Sequence, residues 1–184
     1  MPYSYLGIDE SNHGGDPQSP LIYVGVLSQD PKEIRVSSPQ SKRTFRQREN
    51  FDLETRSFFY LLLEQKQKDL FVDDLNIKIM MIAELISAAP LDLEQVFMDG
   101  YLRQHTSKRI LSFVQTSHPR IQGVIDGDRK IPLIRVADRI AHTLFCHYRF
   151  NPSRTPPELA HGILLHPNYE KYTDLSYLSS IRAS

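Results

Sequence analysis

A single cysteine, Cys146, stands in the 184 residues of the chain. It excludes an intramolecular disulfide and any cysteine-rich zinc site. No apolar run approaches the roughly 18 residues that a membrane-spanning helix needs. Met1 to Glu10 already carries acids and lacks a basic stretch followed by an apolar one, so no secretory signal is expected. Net charge is missing too: 22 Lys and Arg balance 22 Asp and Glu, and nothing draws the whole molecule toward nucleic acid. Glycine and proline, 8 and 12 residues, are too few for low-complexity disorder. No Gly-x-Ser-x-Gly, P-loop or Gly-x-Gly-x-x-Gly occurs, which disfavours serine hydrolases, nucleoside triphosphatases and dinucleotide enzymes. No internal repeat is present. With 40% hydrophobic and 24% charged residues, the expectation is one cytoplasmic, soluble domain, large enough to bury a core without staples.

Hydrophobic patterning places the elements. Tyr3 to Ile8 reads as a strand running into Asp9 and Glu10, and Leu21 to Ser28 as a second strand. The breakers Gly14, Gly15, Pro17 and Pro20 between them predict a turn, hence an antiparallel hairpin. Ile34 to Val36 is a candidate third strand. Leu53 to Leu70 has Phe58, Leu61, Leu62 and Gln65 at helical spacing and is predicted as a helix. Val72 to Ala89 is predicted as an amphipathic helix, with Asp73 or Asp74 as N-cap and Pro90 beyond its end. Glu94 to Asp99 and Ile121 to Ile125 are predicted strands, and Ser107 to Gln115 a helix between them. Pro132 sits where a further helix can begin. Its apolar face is Ile134, Ala137, Ile140, Ala141, Leu144 and Phe145, and Arg135, Asp138, Arg139 and His142 lie opposite. Asn151 to Pro157 reads as a linker, and Glu158 to Ser184 as one short helix plus a tail.

Three predicted strands run into carboxylates: Asp9 and Glu10, Asp99, and Asp126 with Asp128. One sheet edge can gather such groups although they are far apart in sequence. Clustered carboxylates repel one another unless a cation intervenes, and carboxylate oxygen suits Mg²⁺ or Mn²⁺. Two such ions can hold a phosphodiester and activate water. The plainer alternative is that each aspartate caps a turn, with Asp99-Gly100 and Asp126-Gly127-Asp128 as turn sequences. The basic run Lys42, Arg43, Arg46 and Arg48, with Phe45 inside it, reads either as a solvated segment or as a phosphate-contacting one. Cys146 is expected in the core. His13 is expected to be a turn residue or a group that touches substrate, and His142 a surface residue.

Taken in order, these segments resemble ribonuclease HII over about 140 residues. GIDESNHGGDPQSPLIYVGVL, Gly7 to Leu27, is similar to that family's strand, acid pair, glycine-rich turn and following strand. Gln40-Ser41-Lys42 and the basic residues after it resemble its Asp-Ser-Lys segment. VDDLNIKIMMIAEL resembles its Ile-Asp-x-x-Asn-Ile helix start, and VFMDG its strand ending in Asp-Gly. VIDGDRKIPLIRVADRIAHTLF, Val124 to Phe145, aligns with its last strand, Gly-Asp-x-Lys-x-Pro stretch and alanine-rich helix. The Gly-Arg-Gly after the acid pair is Asn12-His13-Gly14 here, and the Asp of Asp-Ser-Lys is Gln40.

The resemblance implies an α/β, RNase H-like fold with a mixed five-stranded sheet and helices on both faces. It would span residues 1–150, with 151–184 as a C-terminal extension packed on the same domain. It implies two Mg²⁺ or Mn²⁺ ions on Asp9, Glu10, Asp99 and Asp128, and hydrolysis of RNA or of the RNA strand of an RNA–DNA hybrid. Asn12, His13, Gly14, Ser41, Lys42 and Arg46 would contact the nucleic acid, and Tyr169 and Tyr172 are candidates for a tyrosine that senses the RNA–DNA junction. Asp9-Glu10-Ser11 and Ala137-Asp138 also resemble uncharacterised RNase H-like proteins whose last acid lies on a helix, so Asp138 competes with Asp128 as fourth ligand. The rival to a nuclease is a non-catalytic nucleic-acid-binding or assembly module of the same fold, favoured by the altered glycine motif and the zero net charge.

Overall fold

The computed structural model describes residues 4–11, 19–36, 53–115, 118–152 and 154–173. Strand β1 (Tyr5–Ser11) and strand β2 (Leu21–Ser28) pair antiparallel, as the sequence predicts. Strand β3 (Phe58–Leu63) follows, then a one-turn helix α1 (Gln65–Lys68) and the long helix α2 (Asp74–Ala88). Strand β4 (Gln95–Asp99), helix α3 (Gln104–Phe113) and strand β5 (Arg120–Val124) come next. A one-turn helix α4 (Gly127–Lys130) leads into α5 (Pro132–Phe150). A two-residue strand β6 (Ile163–Leu164) and helix α6 (Glu170–Thr173) end the described chain.

The strands form one mixed sheet in the order β5-β4-β1-β2-β3-β6. β1 lies parallel to β4, and β4 to β5; β2 and β3 are antiparallel. The sheet thus has six strands rather than five, because Ile163 and Leu164 add a short parallel edge beside Phe59 and Tyr60. A pair of residues that short carries no period for sequence reading to detect.

Strand side chains alternate between the two faces, and each face has its own core. Leu6, Ile8, Val96 and Met98 pack under α2, which contributes Ile79, Met80, Ile82 and Ile86. Ile22, Val24, Val26 and Phe97 pack under α5, against Leu133, Ala137, Ile140 and Leu144. α2 starts where Asp73 accepts the backbone N–H of Asn76 at 2.7 Å. α5 starts at Pro132, whose missing N–H costs nothing in a first turn.

Two predicted elements are corrected. Leu53 to Leu70 is not one helix: it contains β3 and the one-turn α1. FFYLLL is apolar on both sides because Leu61 and Leu63 face one core and Phe58 and Tyr60 the other. A continuous apolar run fits helical spacing by default, and only burial on both faces resolves it. Ile34 to Val36 is no strand; residues 31–34 form a turn. Glu33 in that turn is held by Arg56, with Oε1 2.6 Å from the guanidinium.

β1 and α5 approach unusually closely. A Cβ on Gly7 would lie 2.6 Å from Leu133 Cγ and 2.9 Å from its carbonyl oxygen. Gly7→Ala is therefore expected to lower stability by roughly 2–3 kcal/mol, since the obstructing group includes helix backbone that cannot rotate away. A melting temperature within a degree of the parent would contradict that packing.

Candidate active site

Ile8 and Met98 are partners in the parallel β1–β4 ladder. Asp9 and Asp99 follow them on strands roughly 5 Å apart. Both point to the α5 side, as Gly7 and Phe97 do two residues earlier on each strand. Asp99 closes β4, and Gly100, at φ 85°, turns the chain away.

Of the acids expected at strand ends only Asp99 stands at one: β1 runs on through Asp9 and Glu10 to Ser11, and Asp126 and Asp128 lie beyond β5. β5 stops at Val124; Asp126 takes a left-handed conformation, φ 55°, and Asp128 lies in the first turn of α4. Three hydrogen bonds fix this small helix, one to β4 and two to α5. The Gly127 N–H donates to Asp99 Oδ1 at 2.6 Å, and the buried Arg135 donates from Nε to the Asp128 carbonyl at 3.0 Å and from its terminal nitrogen to that of Arg129 at 3.1 Å. Arg135 thus belongs to the interior, not to the polar face of α5. Cys146 is corrected the other way: it is exposed, with Sγ 3.6 Å from His142 Nε2.

Asp9 is 5% exposed, and its carboxyl titrates well above the usual aspartate range. Burial is the first cause and the Asp138 charge the second; Asp99 and Asp128 add to it. The Glu10 N–H, donated to Asp9 Oδ1 at 2.7 Å, pulls the other way. Charges carried by β4, α4 and α5 therefore act on Asp9 at one end of the sheet. Asp128 and Asp138 both act against the charge of Asp9, and Asp138 exerts the larger repulsion.

Glu10 lies across the sheet, on the α2 side with Leu6 and Ile8. Its cross-strand partner is Tyr23, whose hydroxyl hydrogen-bonds to it. A small cavity of about 20 Å³ at the strand ends is lined by Asp9, Glu10, Tyr23 and Asp99, so Glu10 still borders the place where the aspartates stand. On its other side Glu10 borders a groove of about 680 Å³ that runs along Tyr23, Lys68 and Asp74.

Asn12, His13, Gly14, Ser41, Lys42 and Arg46 lie outside the described residues. Tyr172 is buried against Phe113 and bonded to Glu84, which commits it to the core; Tyr169 packs edge-on against Phe71 at 6.4 Å. Sequence reading missed Tyr23, since pairing it with Glu10 requires the hairpin register, and Arg135, whose charge suggested solvent.

The donor set is carboxylate oxygen throughout, the chemistry that hard divalent ions prefer. A buried aspartate pushed up by three other acids fits a cation that would relieve the repulsion. Among the described residues, no three His, Cys, Asp or Glu side chains already form a cage around one point.

No family model and no curated protein matches the sequence. By structure, the chain is similar to the archaeal RNase HII of the PCNA:RNase HII complex from Archaeoglobus fulgidus. The identity is 17%, with a TM-score of 0.57, covering 97% of this chain and 90% of that one. No helix among the described residues is long and apolar enough to cross a membrane. The six-stranded sheet, its two helical layers and this likeness establish an RNase H-like fold of the RNase HII kind.

Proposed function

We propose that the protein is a divalent-metal-dependent endonuclease that hydrolyses phosphodiester bonds of RNA or of RNA–DNA hybrids in the cytoplasm. One observation supports the reading: the carboxyl of the buried Asp9 is held well above the usual aspartate range by burial and by the charges of Asp138, Asp99 and Asp128, at one end of the sheet of an RNase HII-like fold. Asp9, Asp99 and Asp138 would hold two Mg²⁺ or Mn²⁺ ions, with Asp128 beside them and Glu10 at the second ion or at a ribose 2′-hydroxyl. Such a pair supplies an activated water and neutralises charge on the phosphate. His13, Lys42 and Arg46, with Asn12, Gly14 and Ser41, would position the strand. Residues 151–184 are read as an extension of the same domain; among the described residues of that stretch, Leu159 and Tyr172 are buried in the two cores, which supports the reading.

The protein chain itself contributes orientation. The Gly127 N–H fixes Asp99, and the Glu10 N–H fixes one oxygen of Asp9. Arg135 anchors α4 by its carbonyls and so sets where Asp128 starts.

The test is a cleavage assay on an end-labelled RNA–DNA hybrid, on RNA alone and on DNA alone. Products with 5′-phosphate ends that require millimolar Mg²⁺ or Mn²⁺, and vanish with a chelator, are expected for the first two. No cleavage of any substrate with either metal would overturn the enzyme reading. The non-catalytic module would then stand; it is favoured by the altered glycine motif and the zero net charge.

A further inference from the structure

We infer that Tyr23 is a positioning residue that tethers Glu10 at the metal-facing end of the sheet. The inference rests on the nuclease reading and goes beyond it by giving that site a sixth, non-ligating member.

The geometry is set by the hairpin. Glu10 and Tyr23 are directly opposite in the antiparallel β1–β2 ladder, so their side chains leave the same face at neighbouring points. That face is the α2 face, whereas Asp9 and Asp99 use the other one. A glutamate there has two destinations. It can swing into the groove of about 680 Å³ beside Lys68 and Asp74, or turn over the strand end toward the small cavity it shares with Asp9 and Asp99. Tyr23 borders both spaces. Its ring is 4% exposed and packed in the α2 core, so its hydroxyl is a donor held at a fixed point. A hydrogen bond to a carboxylate is among the stronger side-chain bonds, and this one confines Glu10 to the border of the cavity.

The test uses the full chain, with Tyr23→Phe, Glu10→Gln and the double variant. Tyr23→Phe keeps the buried ring and removes only the donor. Two readouts are taken: Mn²⁺ binding by calorimetry, and the Mn²⁺ dependence of hybrid cleavage. Tyr23→Phe is expected to raise the Mn²⁺ concentration for half-saturation in both by about tenfold, the effect of losing one bond to a charged group. Cleavage at saturating Mn²⁺ is expected to stay within roughly threefold of the parent. In the Glu10→Gln background the same substitution should change neither readout, because an uncharged amide, even one that still accepts from the hydroxyl, offers the cation no carboxylate to position.

Parent-like Mn²⁺ binding by Tyr23→Phe would overturn the inference and leave the nuclease reading standing. An equal loss in both backgrounds would also overturn it, since that marks a general packing defect. A parent protein that neither binds Mn²⁺ nor cleaves would overturn the nuclease reading and the inference with it. Should Tyr23→Phe fail to fold, Glu10→Asp on the intact tyrosine replaces it. That variant withdraws the carboxylate from the hydroxyl, and parent-like Mn²⁺ binding by it would overturn the tether equally.

Discussion

Asp9→Asn is expected to abolish metal-dependent cleavage and to make the metal-free protein more stable. The two effects have one cause. Asp9 is 5% exposed, and Asp138, Asp99 and Asp128 all act against its charge. With cations present, that concentration of charge is what the reaction uses. A loss of at least about 10³-fold in rate, roughly 4 kcal/mol of transition-state stabilisation, is expected when the central ligand is neutralised. Without cations the same charge opposes folding. Asparagine keeps the size of the side chain and an oxygen that can still accept the Glu10 N–H. A gain of roughly 1–2 kcal/mol in chelator, about 2–8 °C in melting temperature for a chain of this length, is expected. Adding millimolar Mg²⁺ should raise the melting temperature of the parent and leave the variant unmoved. Most ligand-to-amide changes at a structural site cost stability, so a lower melting temperature for Asp9→Asn in chelator would contradict the crowded-carboxylate picture.

The second large effect is in the pH dependence of stability. The folded-state carboxyl of Asp9 titrates well above its ordinary 3.8, first through burial and then through Asp138. A raised carboxyl holds its proton more tightly in the folded than in the unfolded chain. Its contribution to stability is therefore fully present below the unfolded value and lost as pH rises through the folded one. Comparison with Asp9→Asn isolates the group. In chelator the two proteins should be alike at about pH 4 and diverge as pH rises toward neutrality, with the parent the less stable. Mg²⁺ should close the gap at neutral pH, because a bound cation takes over the role of the proton. Urea midpoints measured for both proteins across that range provide the check. A gap that stays constant with pH, or that widens toward acid, would show that Asp9 is not titrating among like charges.

Much of this arrangement is legible in the chain. The hairpin follows from two apolar strands around a glycine- and proline-rich turn. α2 follows from its spacing and from Asp73 as cap, and α5 from Pro132 and its apolar stripe. Asp9 and Asp99 can be read as neighbours because both follow apolar runs that sequence order allows to pair, although β1 continues past Asp9 to Ser11. What is not legible has physical reasons. FFYLLL carries no period because both of its faces are buried, so β3 reads as a helix. Asp128 reads as a strand end, although a left-handed Asp126 and the Gly127–Asp99 bond move it onto a separate helix. Arg135 looks like a surface cation, yet it is buried because the carbonyls of Asp128 and Arg129 satisfy it. The Tyr23–Glu10 pair is set by hairpin register alone, which a turn of uncertain length conceals. Asp128 and Asp138 could not be ranked from spacing, but their effects on Asp9 differ in order.

The central claim is that distant acids form one cation site around Asp9, and the most direct measurement is anomalous diffraction from a crystal soaked in Mn²⁺. Two peaks roughly 4 Å apart, bordered by Asp9, Asp99 and Asp138, with Glu10 reaching the second, are the predicted result. A crystal that takes up Mn²⁺ elsewhere, or not at all, while Asp9 stays enclosed by bare carboxylates would contradict it.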